Sequence, residues 1–511
     1  MTPVRWKSFH TALPIALLAL VATLAACTDS AAEAEPEGPL VVAEIPVTTS
    51  SDVALEHFLA GREAMDTGDE IEARAQFALA TDADPDFVLA HLRAATVSGS
   101  FPAFRRHLDA ATAAAGGASD GEQLLVSIFQ TFLANDTEKR LELSEELTDL
   151  YSNSPRAHLN LAYVLGSLNR NEEARDAISS AIRLDPELPA SYSMLGFQYL
   201  FGEPKNFARS EANMRKFIEI RPELGKGYEY LGDVMRAQGK LELASAAYSR
   251  AVEMDADNAI AGLKVGHINS FLGNYAEARR AYDAALAVAD DESRPTYANY
   301  RAFTSIHEGD IDAALAELGA IVDGVDELAI SEDRKRSAQA FSLYNQAMIA
   351  LHHDRLVEAE EILRRHGEVM RAIGEEVGSV EVQKADEARL VLWQGKLAAR
   401  GGDYEKAGSL AKEYKSLVAA DNNPRKLESY HELLGLIDLE QENYPEAARH
   451  FRSANLNDMY VKYHLGLAEE GAGNDEVARQ IFQEVSEWNF NSVGYALVRE
   501  ETMRKYRGAG D

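Results

Sequence analysis

The 511-residue chain contains a single cysteine, Cys27. No disulfide can close within it, and a thiolate metal cage is excluded. Positive charge is also scarce, because 51 Lys and Arg face 83 Asp and Glu, a formal net charge of −32. Nucleic acid needs a basic face for its phosphates, so no nucleic-acid partner is expected. Motifs for bond-breaking chemistry are missing as well. A zinc-protease helix carries two histidines one turn apart, but in His431-Glu432-Leu433-Leu434-Gly435 a glycine stands where the second histidine is required. His307-Glu308-Gly309-Asp310-Ile311 fails in the same way. His352 and His353 are adjacent, and adjacent helical side chains point about 100° apart, a poor joint metal site. Asp82 to Asp86 (DADPD) lacks the glycine and the terminal glutamate of a calcium loop. No phosphate loop or nucleophile elbow occurs. The expectation is no catalytic residue, no metal and no cofactor.

Long apolar runs are limited to the N-terminus. Arg5 and Lys7 precede Thr11 to Ala26, which is apolar apart from two threonines and includes Pro14. A membrane-spanning helix needs about 20 apolar residues. This run is shorter and ends in small residues, the pattern of a signal peptide. Leu24-Ala25-Ala26-Cys27 resembles the bacterial lipobox at all four positions. That resemblance implies removal of residues 1–26 and acylation of Cys27 with fatty chains such as palmitate. The only membrane contact would be this lipid anchor, in which each buried CH₂ contributes roughly 0.8 kcal/mol. Inner-membrane retention places Asp directly after the cysteine, whereas here Thr28 precedes Asp29. The resemblance therefore implies the periplasmic face of the outer membrane. Residues 27–51 are rich in Ala, Glu, Pro and Thr without periodicity, and are expected to form a flexible tether.

From residue 52 onward the chain repeats itself. Leu231 to Asp257 places Gly232, Gly239, Ala244, Tyr248 and Ala251 in one frame. Val265 to Asp291 repeats them as Gly266, Gly273, Ala278, Tyr282 and Ala285, each shifted by 34. The first unit, Ala54 to Phe87, supplies Gly61, Gly68, Ala73, Phe77, Ala80 and Pro85. Another, Pro155 to Leu188, supplies Leu161, Ala162, Ala174, Ile178, Ala181 and Pro186. Small residues at two of these positions let paired helices approach closely. Gly239 and Gly273 suit the left-handed conformation that ends a helix.

This pattern resembles the tetratricopeptide repeat. The resemblance implies an all-α helix-turn-helix solenoid wound as a right-handed superhelix, with roughly 10–12 units including degenerate ones. Residues 52–323 would form an N-terminal solenoid with degenerate units at 88–154, where Ser119 and Glu122 have capping-box spacing. The period stretches to 45 between Ala314 and Ala359 and to 48 between Ala359 and Ala407. Residues 324–339 are accordingly expected as an irregular connection, with a divergent C-terminal solenoid at 340–485. Residues 486–511 leave the pattern. There Trp488, Phe490, Tyr495 and Leu497 are expected to cover the last repeat face, with a partner-docking helix as the rival.

In the same family certain positions of each unit's first helix face a concave groove. Carried over, they are Asn160, Tyr163, Met194, Phe197, Phe201, Tyr230, Asp233, Arg236, Lys264, His267, Phe271, Tyr300 and Phe303. Aromatics mixed with hydrogen-bonding groups suit a protein or peptide ligand. The implied function is a protein-binding scaffold in the cell envelope. The rival is a hydrolase, or the regulatory subunit of an envelope enzyme, with acids and histidines assembled across distant repeats. The oligomeric state stays open.

Overall fold

The structure is a computed structural model that describes residues 44–507, all within one unit, Val42–Asp511. The described residues form 25 α-helices and two 3₁₀ turns, with no strand among them. The first pairs are α1 (Asp52–Thr67) with α2 (Glu70–Ala83), α3 (Val88–Val97) with α4 (Phe101–Ala114), α5 (Asp120–Leu133) with α6 (Thr137–Leu150), and α7 (Pro155–Ser167) with α8 (Asn171–Leu184). Next come α9 (Pro189–Phe201) with α10 (Phe207–Ile220), α11 (Lys226–Ala237) with α12 (Leu241–Met254), α13 (Ala259–Phe271) with α14 (Tyr275–Val288), and α15 (Arg294–Glu308) with α16 (Ile311–Gly324). The last pairs are α17 (Glu332–His352) with α18 (Leu356–Val377), α19 (Val380–Arg400) with α20 (Tyr404–Leu417), α21 (Glu428–Glu440) with α22 (Tyr444–Phe451), and α23 (Met459–Gly471) with α24 (Asp475–Ser486). A final helix, α25 (Val493–Arg507), follows them. Successive helices pack on one another along the chain, the arrangement of an all-α repeat solenoid.

The repeat glycines explain why each pair closes. A Cβ on Gly232 would lie 2.4 Å from the Tyr248 ring, and one on Gly61 2.8 Å from Phe77. The same clash recurs at Gly266 with Tyr282, Gly435 with Phe451, and Gly466 with Phe482. In each case an aromatic ring of the second helix lies directly on the first helix. Gly435 is therefore a packing position, which accounts for the missing second histidine after His431. The turns also follow the spacing. Gly239 and Gly273 have φ of 70° and 78°, while Asn169, Asp354 and Glu442 hold the left-handed region in other units.

Two expectations are corrected. Of residues 324–339, only 325–331 lie between α16, which ends at Gly324, and α17, which begins at Glu332, with Glu332 and Asp333 acidic in its first turn, a favourable charge for a helix start. The added sequence lengthens helices: α17, α18 and α19 have 21, 22 and 21 residues, against at most 16 in any other. Residues 44–51, expected in the tether, pack on the solenoid instead. Ile45 is buried in the first apolar cluster, and Thr48 donates to Glu122 from its backbone N–H (2.9 Å) and hydroxyl (2.6 Å). Glu122 closes the expected capping box with Ser119 as well. Aliphatic side chains at Ile45 and Val47 pin this segment to the solenoid. Cys27 and residues 1–26 lie outside the described residues.

Distant units also meet. α1 packs against α9, Arg221 of the α10–α11 turn pairs with Glu63 at 2.8 Å, and Arg156 grips Asp66 through two hydrogen bonds of 2.9 and 2.5 Å. α4 packs on α17 and α18. α25 packs on α15, α17, α23 and α24. No described helix is long and apolar enough to cross a membrane.

Candidate functional site

The contact of α1 with α9 brings the first unit onto the fifth, so their first helices surround a chamber of about 880 Å³. Its wall combines Met65 and Arg62 of α1, Arg93 of α3, Phe129 and Phe132 of α5, Asn160 and Tyr163 of α7, and Met194 and Phe197 of α9. Ser337 of α17 contributes as well. This volume lies in the range of about 300–1,000 Å³ typical of ligand pockets.

The aromatic part is contiguous. Phe104 stacks on Phe101 and Phe129 with ring centres 5.8 and 6.1 Å apart, and meets Phe132 at 5.4 Å. The polar part is basic: Arg62, Arg93, Arg140 and Arg156 face one acid, Asp66. Asp66 is engaged by Arg156, which Glu44 also approaches at 3.6 Å. Arg140 donates to the Ser167 hydroxyl at 3.1 Å and lies over the Phe132 ring. Arg62 and Arg93 have no ion pair or side-chain hydrogen bond among the described residues. Withdrawal from water, then the charge of Arg156, pulls Arg93 down to about 10 and lowers Arg62 from its usual value. Both remain cationic at neutral pH.

The thirteen groove positions read from the sequence divide among five settings. Asn160, Tyr163, Met194 and Phe197 line the chamber, with Tyr163 64% exposed. Phe201, Arg236, His267 and Phe271 stand where the C-terminal segment crosses the inner face. Phe201 meets Trp488 and Phe490 at 5.9 and 5.0 Å. Arg236, only 2% exposed, donates from Nε to the Asn489 carbonyl and from Nη2 to His267 Nδ1 at 3.2 Å. Phe271 presents an edge-to-face contact to Tyr495 at 5.8 Å. Loss of solvent, then the charges of Arg236 and Lys264, drives His267 well below its usual pKa. Arg236 and Phe271 are covered by residues from the far end of the chain, His267 is buried against Arg236, Tyr282 and Tyr300, and Phe201 stays 38% exposed beside Trp488 and Phe490.

Asp233 and Lys264 belong to an internal ion network. Lys264 contacts Asp233 at 2.6 Å and Glu229 at 2.8 Å, while Tyr248 donates its hydroxyl to Asp233 at 2.7 Å. Burial alone would raise the Glu229 pKa, but Lys264 and Lys226 outweigh it and hold the carboxyl at about 2. Tyr230 and Tyr300 are half-buried against Phe197 and His267, respectively. Phe303, 1% exposed, sits in an apolar cluster with Ile306, Leu343 and Ala347. It is a core residue, which corrects its placement in the groove.

The chamber's arginines and phenylalanines come largely from units with weak repeat character. One signal was nonetheless present. Arg62 follows Gly61 just as Asp233 follows Gly232, so the same register carried into the first unit marks Arg62 as inward-facing. Among the described residues no cluster of three His, Cys, Asp or Glu could hold a metal.

The chain is similar to several known proteins. The tetratricopeptide-repeat family model matches residues 155–188, which form α7 and α8. Anaphase-promoting complex subunit 3 of Schizosaccharomyces pombe is 25% identical over 176 residues, 34% of this chain and 26% of that protein. Protein O-mannosyl-transferase TMTC1 of Mus musculus is 27% identical over 137 residues, 26% of this chain and 14% of that protein. The chain thus spans about a quarter or less of the length of these relatives. Among solved structures, yeast Tom70 aligns over 84% of this chain and 92% of its own, with 16% identity and a TM-score of 0.41. YrrB, a TPR protein with an unusual peptide-binding site, aligns over 35% of this chain and 91% of its own, with 21% identity and a TM-score of 0.25. The fold is an all-α solenoid of paired helices, and residues 155–188 match the tetratricopeptide-repeat model.

Proposed function

We propose that this chain is a lipid-anchored scaffold of the bacterial cell envelope, held by acylated Cys27 at the periplasmic face of the outer membrane, and that it captures a protein partner in the chamber of its first five units. The observation that carries the binding role is the contrast along the inner face. At Arg236 and Phe271 that face is covered by the chain's own C-terminal segment, whereas the chamber leaves Tyr163 and Phe132 exposed and holds two half-buried arginines that make no salt bridge among the described residues. Aromatic side chains bury large areas with few rotamers, the character of interface hot spots. The scaffold acts by holding its partner near the membrane, without covalent chemistry. The anchor rests on Leu24-Ala25-Ala26-Cys27 and the apolar run before it.

One experiment in a bacterium expressing the full chain tests both halves. A photo-crosslinking residue at Tyr163 should trap a discrete protein, while the same residue at Val357, 85% exposed on α18, should not. Equal trapping at both positions removes the chamber from the reading. In parallel, Cys27→Ser should abolish incorporation of labelled palmitate and leave uncleaved precursor. Normal processing of that variant ends the lipoprotein assignment.

A further inference from the structure

We infer that the segment captured in the chamber is acidic and aromatic, with a carboxylate seated on Arg62 and Arg93 and a neighbouring aromatic side chain against Phe101, Phe104, Phe129 and Phe132. The inference rests on the protein-binding reading above and names the chemistry that the partner must present.

The charge of the chamber runs against that of the chain. A protein with a formal charge of −32 gathers four arginines around one cavity and lines it with a single acid. That acid, Asp66, already holds Arg156 through both carboxylate oxygens. Arg62 and Arg93 are left half-buried with no salt bridge or side-chain hydrogen bond among the described residues, in a wall that is mostly apolar, and Asp66 and Glu44 act on them only at longer range. Guanidinium groups withdrawn from water and close to one another are stabilised by an anion that reaches both. A planar carboxylate fits the guanidinium fork in two parallel hydrogen bonds, whereas a neutral amide offers one acceptor.

The second half of the chemistry is displayed elsewhere on the same inner face. There Trp488, directly after Glu487, and Phe490 rest on Phe201, and the Asn489 carbonyl between them accepts a hydrogen bond from Arg236. Phe201 stacks on Phe197, with ring centres 6.1 Å apart and planes 13° from parallel, and Phe197 is a wall of the chamber. One aromatic wall therefore serves both places. In one of them it already binds an aromatic segment, and in the other it stands beside two uncommitted cations.

The test uses the full chain from Cys27 onward with that cysteine changed to Ser, and two fluorescein-labelled peptides read by anisotropy. One is Gly-Glu-Trp-Glu-Phe-Gly and the other its twin with both Glu changed to Gln. The acidic peptide should bind at least tenfold more tightly and should weaken as salt is raised. Arg62→Gln combined with Arg93→Gln should erase that preference while leaving the thermal unfolding curve in place. Equal affinity for the two peptides on the unmodified chain overturns the charge assignment, whatever the stability of the double variant. If neither peptide binds while Tyr163 still crosslinks a protein, the ligand chemistry is wrong and the scaffold reading stands. If crosslinking fails too, both fall. The tether carries Asp29, Glu33, Glu35 and Glu37. Binding of the acidic peptide only after Glu33, Glu35 and Glu37 are changed to Gln would assign the chamber to the chain's own tether and overturn the inference.

Discussion

Gly232→Ala and Gly408→Ala are the same chemical change in two helices, and the packing requires them to act in opposite directions. In α11, a methyl group on residue 232 would lie 2.4 Å from Tyr248 Cε1 and 2.6 Å from Cδ1. Carbon atoms in favourable contact are about 3.5–4.0 Å apart, so the ring would have to retreat by about 1 Å. It has little freedom to do so. Tyr248 is fully buried, and its hydroxyl is tied to Asp233, which also holds Lys264. Overpacking of this kind costs about 1–3 kcal/mol. Alanine's better helix propensity returns about 0.8–1 kcal/mol. Mid-range values leave a net loss of about 1 kcal/mol. In α20, a methyl group at residue 408 meets nothing within 4 Å. Only the propensity remains there, a gain of about 0.5–1 kcal/mol.

A single melting temperature is a blunt readout for a repeat array, whose units open semi-independently. Hydrogen exchange followed by mass spectrometry resolves the units, and a local loss of 1.4 kcal/mol reads as tenfold faster exchange under equilibrium opening. Gly232→Ala should speed exchange in α11 and α12, with the effect fading into α13. Gly408→Ala should slow exchange in α19 and α20. Unchanged or increased protection of α11 and α12 in Gly232→Ala would refute the packing argument.

Two further outcomes follow from the buried polar groups. Removal from water pulls His307 and His464 each down to about 4, while an unfolded histidine titrates near 6.5. Between these values the unfolded chain binds the proton and the native chain does not, so stability falls as the pH drops from 6.5 toward 4, by up to about 1.4 kcal/mol per unit for each group. Urea unfolding at pH 7 and pH 5 checks the sign, and equal or greater stability at pH 5 contradicts it. Arg236→Met keeps an unbranched apolar stem but leaves the buried Asn489 carbonyl without its donor, a loss of about 1–3 kcal/mol. Exchange of residues 488–498 should quicken while α1 to α8 stay protected; unchanged exchange there would show that Arg236 does not hold the segment.

What the residues alone determined is the local geometry. Gly232 against Tyr248, the left-handed turns at Gly239 and Gly273, and the capping box of Ser119 with Glu122 all depend on neighbours less than one repeat away. Short-range sterics and backbone conformational cost repeat whenever the spacing repeats, so helix pairs and their inner positions could be read directly. The lengthened α17, α18 and α19 were visible only as a stretched period, because added residues can extend a helix or a loop alike. The tertiary structure decided which inner positions are open. Arg236 and Asn489 are 253 residues apart, and Arg156 reaches Asp66 across 90. Such contacts depend on the accumulated rotation of every intervening unit, a quantity that no single repeat carries. A small angle per pair, summed over several pairs, brings α1 onto α9, encloses two uncommitted arginines, and lays the C-terminal segment over Arg236 and Phe271.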